Sequence, residues 1–352
     1  RPHSTYRVRA HMRVLHYRQT FSKTSETFLY AYLKELEQQG VDNHVLTHDR
    51  RNPESRSFPC VKEVTPPGRW HPGRLAYELL ARLGITGEYH SSYHRERARR
   101  LFVATRKIQP DVIHAHFGRE GVSIASVAKR FDCPLVVTFY GFDVSQLPKQ
   151  DEWRRKYQQM WPLANAVTVL SEEMKESVLD LGCPEEKVHV VRLSRDLNQF
   201  PYHPPTQDVQ RLLFVGRLTP KKAPLDAIRA VEAANRKGAD LQLHVVGDGE
   251  LWDDVTRYVD EQGLHEEVVL HGREPNEKVT GHMQAADAFV LPSTTAPNGD
   301  REGTPTVLVE AQASGLPCVS TQHAGIPEMI PEENHELLVE EGDVEGLAER
   351  YL

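Results

Sequence analysis

Two glutamates with a predicted helix start between them are the side chains of this sequence best placed to do chemistry together. Glu302 and Glu310 lie eight positions apart, and we expect the first in a loop and the second in a short helix. Thr304 is predicted to be the N-cap of that helix and Pro305 its first residue, while Gly315 marks its end. The free N–H groups of a first helical turn bind anions. The segment therefore offers a carboxylate, a phosphate site and a second carboxylate, which suits a nucleotide-sugar.

The sequence around these glutamates resembles the Glu-x7-Glu motif of glycosyltransferase family 4, whose members are retaining enzymes with the GT-B fold. The resemblance implies that Glu302 is a catalytic residue that binds the donor sugar and that Glu310 binds the ribose. It also implies donor binding by Gly303, Thr304 and Thr306. A solvated loop glutamate and a surface helix glutamate are the simpler alternative. The Glu-Gly-Thr-Pro start and the Ala-Ser-Gly-Leu-Pro ending favour the donor site.

A basic turn follows the first predicted strand of the second half. Its sequence at 216–222, Gly-Arg-Leu-Thr-Pro-Lys-Lys, resembles the family's Gly-Arg-Leu-x-x-x-Lys motif, which implies that Arg217 and Lys222 bind the donor diphosphate. Fixed cations stabilise the negative charge that cleavage leaves on the diphosphate, with Arg binding bidentately and Lys acting as a point charge. Lys221 is an alternative to Lys222, and a solvated basic turn is an alternative for the whole segment. Ala223 departs from the family, which usually has glycine there.

A His-x-His pair ends a predicted strand of the first half, and strand alternation puts His114 and His116 on the same face. By resemblance, His116 approaches the donor sugar and is the second catalytic residue. A structural histidine and a metal site are the alternatives. The sequence offers no evident third ligand, and GT-B enzymes need no metal. Arg273, which follows a strand of the second half, is by resemblance a donor-binding residue that contacts the nucleobase.

Alternating strands and helices must position these residues, and they favour parallel, doubly wound α/β sheets. In the first half we predict helices at 25–39 and 121–131 and strands at 13–17, 41–46, 111–116, 134–139, 166–170 and 188–191. After a proline-rich stretch we predict a helix at 224–237 and strands at 211–215, 241–246, 268–271, 288–291 and 317–320. Two such units joined by a linker bind ligands at the carboxyl ends of their strands.

The predicted architecture is therefore GT-B, with two Rossmann-like domains facing a central cleft. We assign an acceptor-binding domain to 1–195, a linker to 196–208 and a nucleotide-sugar-binding domain to 209–352. The resemblance also implies a final helix that crosses back to the N-terminal domain. We expect this helix to be missing, because the sequence ends at Leu352 within a predicted helix.

The net charge of −7 divides unequally along the chain. Residues 1–195 hold 31 Lys and Arg against 22 Asp and Glu, which gives +9, and residues 196–352 hold 12 against 28, which gives −16. The basic half is expected to meet an anionic surface or substrate. Its arginine-rich stretch at 89–107 predicts either an amphipathic helix on anionic lipid or a solvated charged face. Without a recognisable reading motif, nucleic acid is not an expected partner.

The overall composition is that of an ordinary soluble protein, with 39% hydrophobic and 26% charged residues. No apolar run approaches the length of a bilayer span, and the basic residues 1–18 lack the apolar core of a signal peptide. Four widely spaced cysteines show no metal or redox spacing, which indicates a reducing compartment. We therefore expect a cytoplasmic protein, with peripheral binding to the inner face of the cell membrane as a further prediction.

The resulting hypothesis is a retaining, metal-independent hexosyltransferase without a cofactor. It would move a sugar from a UDP- or GDP-sugar to a glycan or lipid-linked acceptor. Ser-Glu-Thr-Phe, His-Phe-Gly and Tyr-Gly-Phe-Asp-Val at 25–28, 116–118 and 140–144 are most similar to bacterial exopolysaccharide transferases of the colanic-acid type. This implies a role in cell-surface polysaccharide synthesis. The alternatives are a non-catalytic nucleotide-sugar-binding subunit and a GT-B epimerase or phosphorylase.

Overall fold

The computed structural model describes residues 12–23, 26–67, 72, 91–203 and 209–352, and the statements below concern this part of the chain. Its residues form two compact units. The first unit runs to Val144 and also includes Pro148–Val169 and Ser177–Val191, and the second unit comprises Ser145–Leu147, Leu170–Glu176 and Arg192–Leu352. The predicted linker at 196–208 lies partly outside the described residues, and its bounds stay a prediction.

Nine strands belong to the first unit: β1 (Arg13–Tyr17), β2 (Thr20–Phe21), β3 (Asp42–Thr47), β4 (Asp49–Arg50), β5 (Val61–Glu63), β6 (Val112–His116), β7 (Leu135–Thr138), β8 (Ala166–Val169) and β9 (Val188–Val190). Seven of them form one parallel sheet in the order β5-β3-β1-β6-β7-β8-β9, and β2 pairs with β4. Leu15, Ile113 and Val137 are fully buried. Such apolar strands suit a parallel sheet, because helices cover both of its faces.

The helices up to residue 180 are α1 (Thr27–Gln38), α2 (Ser91–Ile108), α3 (Gly118–Phe131), α4 (Phe142–Ser145), α5 (Asp151–Met160) and α6 (Glu172–Asp180). Helix α3 begins three residues before its predicted start at 121. The reason is a long-range contact, because the carboxylate of Asp143 accepts a 2.8 Å hydrogen bond from the N–H of Gly118. This contact satisfies a free donor of the first helical turn.

A six-stranded parallel sheet forms the second unit. Its strands are β10 (Arg211–Val215), β11 (Gln242–Val246), β12 (Val268–Gly272), β13 (Ala288–Leu291), β14 (Cys318–Thr321) and β15 (Leu338–Val339), in the order β12-β11-β10-β13-β14-β15. The helices are α7 (Pro224–Arg236), α8 (Trp252–Gln262), α9 (Asn276–Ala285), α10 (Thr306–Ala313) and α11 (Val344–Tyr351). The order reverses direction beside β10, so this sheet is doubly wound, as predicted.

The predicted fold class is confirmed, and every predicted strand is present within one residue of its expected bounds. Short strands such as β2, β4 and β15 were not predicted, because two residues carry no alternation pattern. One detail of the Glu-x7-Glu segment is wrong. Pro305, with φ −69° and ψ 101°, occupies the N-cap position, and the helix begins at Thr306. Thr304 is therefore one residue too early to be the N-cap, and it makes no capping hydrogen bond.

The arginine-rich stretch at 89–107 lies on α2, and its first two residues fall outside the described part. Leu101 and Ala104 are buried, and the ring of Phe102 stacks on Phe131 with centroids 4.4 Å apart. Leu101 and Ala104 therefore belong to the core and are not free to enter lipid, whereas Val103 is 49% exposed. A membrane contact of α2 would use its exposed residues, which include the basic Arg106 and Lys107.

Candidate functional site

A buried ion pair joins two of the predicted donor residues in the second unit. Lys222 ends a short turn after β10, and Glu302 lies in the loop between β13 and α10. The Lys222 Nζ and Glu302 Oε1 atoms are 3.2 Å apart, with the two side chains 12% and 8% exposed. Burial acts to raise the pKa of Glu302, but attraction by Lys222 and Lys221 outweighs it and holds this pKa below its ordinary value. Burial lowers the pKa of Lys222, and Glu302 opposes that shift.

The neighbouring lysine has a different partner, which separates the two roles that the sequence left open. Lys221 Nζ lies 3.1 and 3.2 Å from the carboxylate oxygens of Asp300, and it donates to the carbonyl oxygen of Arg301 at 3.2 Å. Lys221 thus holds the loop that carries Glu302, whereas Lys222 contacts the glutamate itself. Ala223 adopts the left-handed conformation with φ 46°, which favours glycine. This accounts for the glycine usual at that position.

A histidine and a glutamate that were not predicted hold the backbone of the glutamate loop. The N–H of Glu302 donates to Nε2 of the fully buried His323 at 3.1 Å. Nδ1 of His323 must then carry the proton, and it donates to Oε1 of Glu341 at 2.6 Å. Burial acts to raise the pKa of Glu341, but the His323 hydrogen bond and the N–H of Thr295 lower it to about 2.

Two buried polar atoms lie at the start of α10. Glu302 Oε1 and Thr304 Oγ1 are both buried, and neither forms a hydrogen bond within the described residues. The Lys222 ammonium lies 3.2 Å from Glu302 Oε1 as its ion-pair partner. Gly303 lies between the two, and Thr306 opens the helix, so its first-turn N–H groups face no preceding helical carbonyl. Natively buried polar atoms are nearly always hydrogen-bonded, and these two lie within the predicted donor motif.

Arg217 projects from the turn after β10 and is exposed. A second turn packs closely against this one: a side chain at Gly247, where φ is 149°, would lie 1.8 Å from the carbonyl oxygen of Gly216. A side chain at Gly249 would likewise lie 2.4 Å from the carbonyl oxygen of Leu218. These glycines allow the backbone contact that fixes the turn, while the guanidinium of Arg217 stays accessible to an anion.

The second glutamate of the motif already has a cation as partner. Glu310, on α10, forms an ion pair with Arg195, and their side chains are 9% and 11% exposed. Burial raises the pKa of Glu310, and the attraction of Arg195 only partly offsets this effect. Arg195 was not predicted as a site residue. Arg195 occupies the Glu310 carboxylate, which is the group predicted to bind the ribose hydroxyls. A bound ribose would therefore have to displace Arg195 or share the carboxylate with it.

The predicted base contact stands apart from these residues. The side chain of Arg273 is 66% exposed, and its nearest ion-pair partner is Asp248, whose carboxylate lies 3.6 Å away. Asp248 belongs to the turn that packs against the Arg217 segment, since its carbonyl oxygen accepts from the N–H of Leu218 at 3.2 Å. Arg273 thus lies at the carboxyl end of β12, and its contact with a nucleobase stays a prediction.

In the first unit, His116 is one member of a buried hydrogen-bonded chain. The β1–β6 register sets His16 opposite His114, and His16 Nδ1 lies 3.0 Å from His116 Nε2. Nε2 of His16 faces Oδ1 of Asn43 at 3.0 Å, while the Tyr140 hydroxyl lies 2.7 Å from His116 Nδ1. Because Asn43 accepts through this oxygen, each imidazole donates through Nε2 and accepts through Nδ1.

This chain occupies both nitrogens of His116 with protein partners. Burial lowers the pKa values of His114 and His116 well below the ordinary value and that of His16 to about 4, so all three rings are neutral. The predicted shared face is confirmed by a 4.2 Å distance between the ring centroids of His114 and His116. Contact between His116 and a sugar would require a ring nitrogen to exchange partners. His16 was missed as the third histidine of this group.

Comparison with known proteins gives two family matches that together cover most of the sequence. Residues 25–199 match the family model for glycosyltransferase family 4, and residues 209–352 match that for glycosyl transferases group 1. WcaL of Escherichia coli, named for colanic acid biosynthesis, is 34% identical over 68% of this chain and 60% of its own length. The amylovoran biosynthesis glycosyltransferase AmsK of Erwinia amylovora is 32% identical over the same shares. The chain thus spans about 60% of the length of these relatives.

Three further matches are more distant. A UDP-galactose:α-D-GlcNAc-diphosphoundecaprenol α-1,3-galactosyltransferase of Escherichia coli is 27% identical over 70% of this chain and 66% of its own. HepE of Anabaena, solved in complex with UDP and glucose, superposes with a TM-score of 0.72 at 18% identity, covering 97% of this chain and 89% of that one. The lipopolysaccharide outer core galactosyltransferase WaaB gives a TM-score of 0.70 at 17% identity, covering 96% and 89%.

Proposed function

The chain belongs to the family 4 glycosyltransferases of GT-B fold, and from this premise we propose that it transfers a sugar from a nucleoside-diphosphate sugar to an acceptor hydroxyl with retention of configuration. Family membership alone does not distinguish an active transferase from a subunit that only binds nucleotide-sugar. The chemistry of the second unit favours the transferase, as the following contacts explain.

The observation that carries the proposal is a pair of buried oxygens without hydrogen bonds at the start of α10. Glu302 Oε1 and Thr304 Oγ1 are buried without hydrogen bonds in the described structure, and Lys222 lies against the same carboxylate. A sugar hydroxyl can donate to the carboxylate, and a phosphate oxygen can accept from the threonine hydroxyl. A nucleotide-sugar brings both groups and would thus satisfy both atoms at once.

In the proposed reaction the leaving diphosphate gains negative charge as the sugar–phosphate bond breaks. Lys222, Arg217 and the first-turn N–H groups of α10 supply positive charge and donors for it. Glu302 orients the sugar and stabilises the positive character that develops on it. The acceptor hydroxyl attacks from the face that the diphosphate leaves, so configuration is retained. We assign no enzyme nucleophile, and a donor phosphate oxygen takes the acceptor proton.

The acceptor in this proposal is a glycan or a lipid-linked glycan used in bacterial cell-surface polysaccharide synthesis. The support comes from the names of the relatives, which include polysaccharide biosynthesis and a diphosphoundecaprenol acceptor. The +9 charge of residues 1–195 suits an anionic acceptor or surface. The complex of HepE with UDP and glucose favours a UDP-sugar as donor, and a GDP-sugar is the second choice.

Ligand-dependent melting combined with a turnover assay tests the proposal. A donor that binds the folded state raises the melting temperature by mass action. We expect one of the UDP-, GDP- or ADP-sugars to do so in the native protein and less in Glu302→Gln or Thr304→Val, whereas the exposed control Glu333→Gln should behave like the native protein. Glycan product formed from a lipid-linked acceptor supports the transferase. Donor binding without any product would favour the non-catalytic subunit, and a product epimerised in the absence of acceptor would favour an epimerase.

A further inference from the structure

A second group of three histidines lies in the second unit, under helix α9. His244 is buried on β11, His271 is half-buried on β12, and His282 is half-buried on α9. One ring nitrogen from each lies within 4.8 Å of the others. The rings of His271 and His282 have centroids 4.3 Å apart, and those of His244 and His271 are stacked at 5.0 Å. No residue of the predicted donor site belongs to this group.

The hydrogen bonds around these rings fix which nitrogens have free lone pairs. The amide of Gln242 donates to the carbonyl oxygen of Glu266 at 3.0 Å, so its Oε1 is the acceptor for the Nε2–H of His244 at 2.8 Å. Nδ1 of His244 therefore carries a lone pair, and it points to Nε2 of His271 at 2.8 Å. The sequence had given no hint of this group, because its members come from three separate elements.

The third histidine has the carboxylate partner that metal-binding histidines usually have. Nε2 of His282 lies 2.8 Å from Oε2 of Glu274, whose other oxygen is 3.2 Å from Lys278 Nζ. When Nε2–H donates to the carboxylate, Nδ1 of His282 is left as the ligand atom. Such a partner orients the ring and makes its free nitrogen more basic.

We propose that His244, His271 and His282 bind one Zn²⁺ ion, with Glu274 and Gln242 holding the outer histidines in the ligating tautomers. Imidazole nitrogens suit zinc, and three histidines with one open position are a common zinc arrangement. Tetrahedral bonds of about 2.1 Å place ligand atoms about 3.4 Å apart, and one nitrogen of each ring already lies within 4.8 Å of the others. The ion takes the position of the hydrogen between His244 Nδ1 and His271 Nε2, and His271 then ligates through Nε2 as its other neutral tautomer, with the proton on Nδ1.

One neighbouring cation opposes this ion and provides a sensitive test. Arg211, beside His244 on the adjacent strand, directs its Nη2 to the same Nδ1 at 3.2 Å. It both competes for the lone pair and repels a dication. Removing this guanidinium should therefore tighten zinc binding. If the three histidines only form hydrogen bonds with one another, the same change should not increase the affinity for zinc.

The experiment uses the whole protein after dialysis against a chelator, with Co²⁺ as the spectroscopic probe and Zn²⁺ as its competitor. We expect one Co²⁺ per chain with the visible absorption of a tetrahedral site, displaced by Zn²⁺. His271→Gln and His282→Gln should each abolish this absorption, Glu274→Gln should weaken binding by about 10–100-fold, and Arg211→Gln should strengthen it. His265→Gln, a 66% exposed histidine of the same unit, is the matched control.

A further variant separates this site from the buried histidines of the first unit. His114→Gln should leave the Co²⁺ absorption unchanged if the second-unit group is the ligand set. Circular dichroism confirms that each variant is folded. The proposal is overturned if the native protein shows no tetrahedral Co²⁺ absorption, or if that absorption persists in folded His271→Gln and His282→Gln. These measurements need no donor or acceptor, so the result does not depend on the proposed transferase activity.

Discussion

Lys222 Nζ lies 3.2 Å from Glu302 Oε1 in a buried ion pair, so in this structure the two predicted donor residues neutralise one another. Isolated, either charge would be costly to bury. Together they are stable, yet the carboxylate oxygen still lacks a hydrogen bond. A nucleotide-sugar donor brings both a hydroxyl and a diphosphate. The hydroxyl can donate a hydrogen bond to Glu302, and the negatively charged diphosphate can bind Lys222. The ion pair therefore keeps both side chains charged and ready for the donor.

Replacing the two adjacent lysines should have different effects. Lys222→Met should lower kcat by about 10²–10³, because one lost donor at a charged transition state costs that much. Lys221→Met removes the contacts to Asp300 and Arg301, so it should mainly lower the melting temperature. Turnover is measured well below each variant's melting temperature. Full activity of Lys222→Met, together with loss in Lys221→Met, would show that the roles are reversed.

The His323–Glu341 contact should appear in the pH dependence of stability. The pKa of Glu341 falls to about 2 in the folded protein, so the stabilisation is present above its unfolded value near 4.5 and is lost as pH falls towards 2. Glu341→Gln should therefore lower the melting temperature most near pH 7 and progressively less below pH 4. Because Glu341 is partly exposed, we expect an effect of about 1–2 kcal/mol at pH 7. A melting difference that is constant from pH 3 to 7 would contradict the ionic contact.

The ion pair between Arg195 and Glu310 predicts competition with the nucleotide. Arg195→Met should lower the melting temperature of the ligand-free protein, because it leaves a buried carboxylate unpaired. Saturating nucleotide should then raise the melting temperature more than in the native protein, since the ribose no longer displaces a cation. Glu310→Gln should show the opposite, with weaker nucleotide binding. An Arg195→Met variant that binds nucleotide less tightly would instead make Arg195 a ligand of the donor.

Local patterns predicted the strands and both motif glutamates, because apolar alternation and turn residues act over a few positions. They did not predict the residues that hold the site. His323 reaches the N–H of Glu302 from 21 positions away, and Arg195 meets Glu310 from 115. Neither spacing has a signature in a single sequence, since only the packing of strands and loops brings these residues together. His16 could have been inferred, because it lies near the end of a strand that pairs with the His-x-His strand.

The assignment of Arg217 and Lys222 to the diphosphate predicts sugar transfer without a divalent ion. Activity should survive excess chelator. It is measured below the melting temperature of the chelated protein, so that loss of a structural zinc does not unfold the second unit. Chelator and added Mg²⁺ or Mn²⁺ are compared in the native protein and in His271→Gln. If chelator abolishes the activity of both proteins and Mg²⁺ or Mn²⁺ restores it, the cationic side chains are insufficient to stabilise the leaving diphosphate.

Membrane binding is expected to depend on the basic residues of the first unit. Within the described residues, no helix combines the length and apolar character that crossing a bilayer needs. Arg106 and Lys107 are exposed near the end of α2, whose Leu101 and Ala104 lie in the core. Each basic residue near an anionic surface contributes about 1 kcal/mol, attenuated by salt. We therefore predict salt-sensitive binding to vesicles that contain anionic lipid and little binding to neutral vesicles.

A matched pair of double variants tests where that binding occurs. Arg106→Glu with Lys107→Glu should weaken sedimentation with anionic vesicles by at least about tenfold, because two favourable contributions become unfavourable. Arg236→Glu with Lys237→Glu changes another exposed Arg-Lys pair, at the end of α7 in the second unit, and should have little effect on vesicle binding. An equal loss of vesicle binding in both double variants would show that binding depends on the net charge of the protein alone. Negligible binding of the native protein to both kinds of vesicle at low salt would leave the basic residues of α2 as a solvated face.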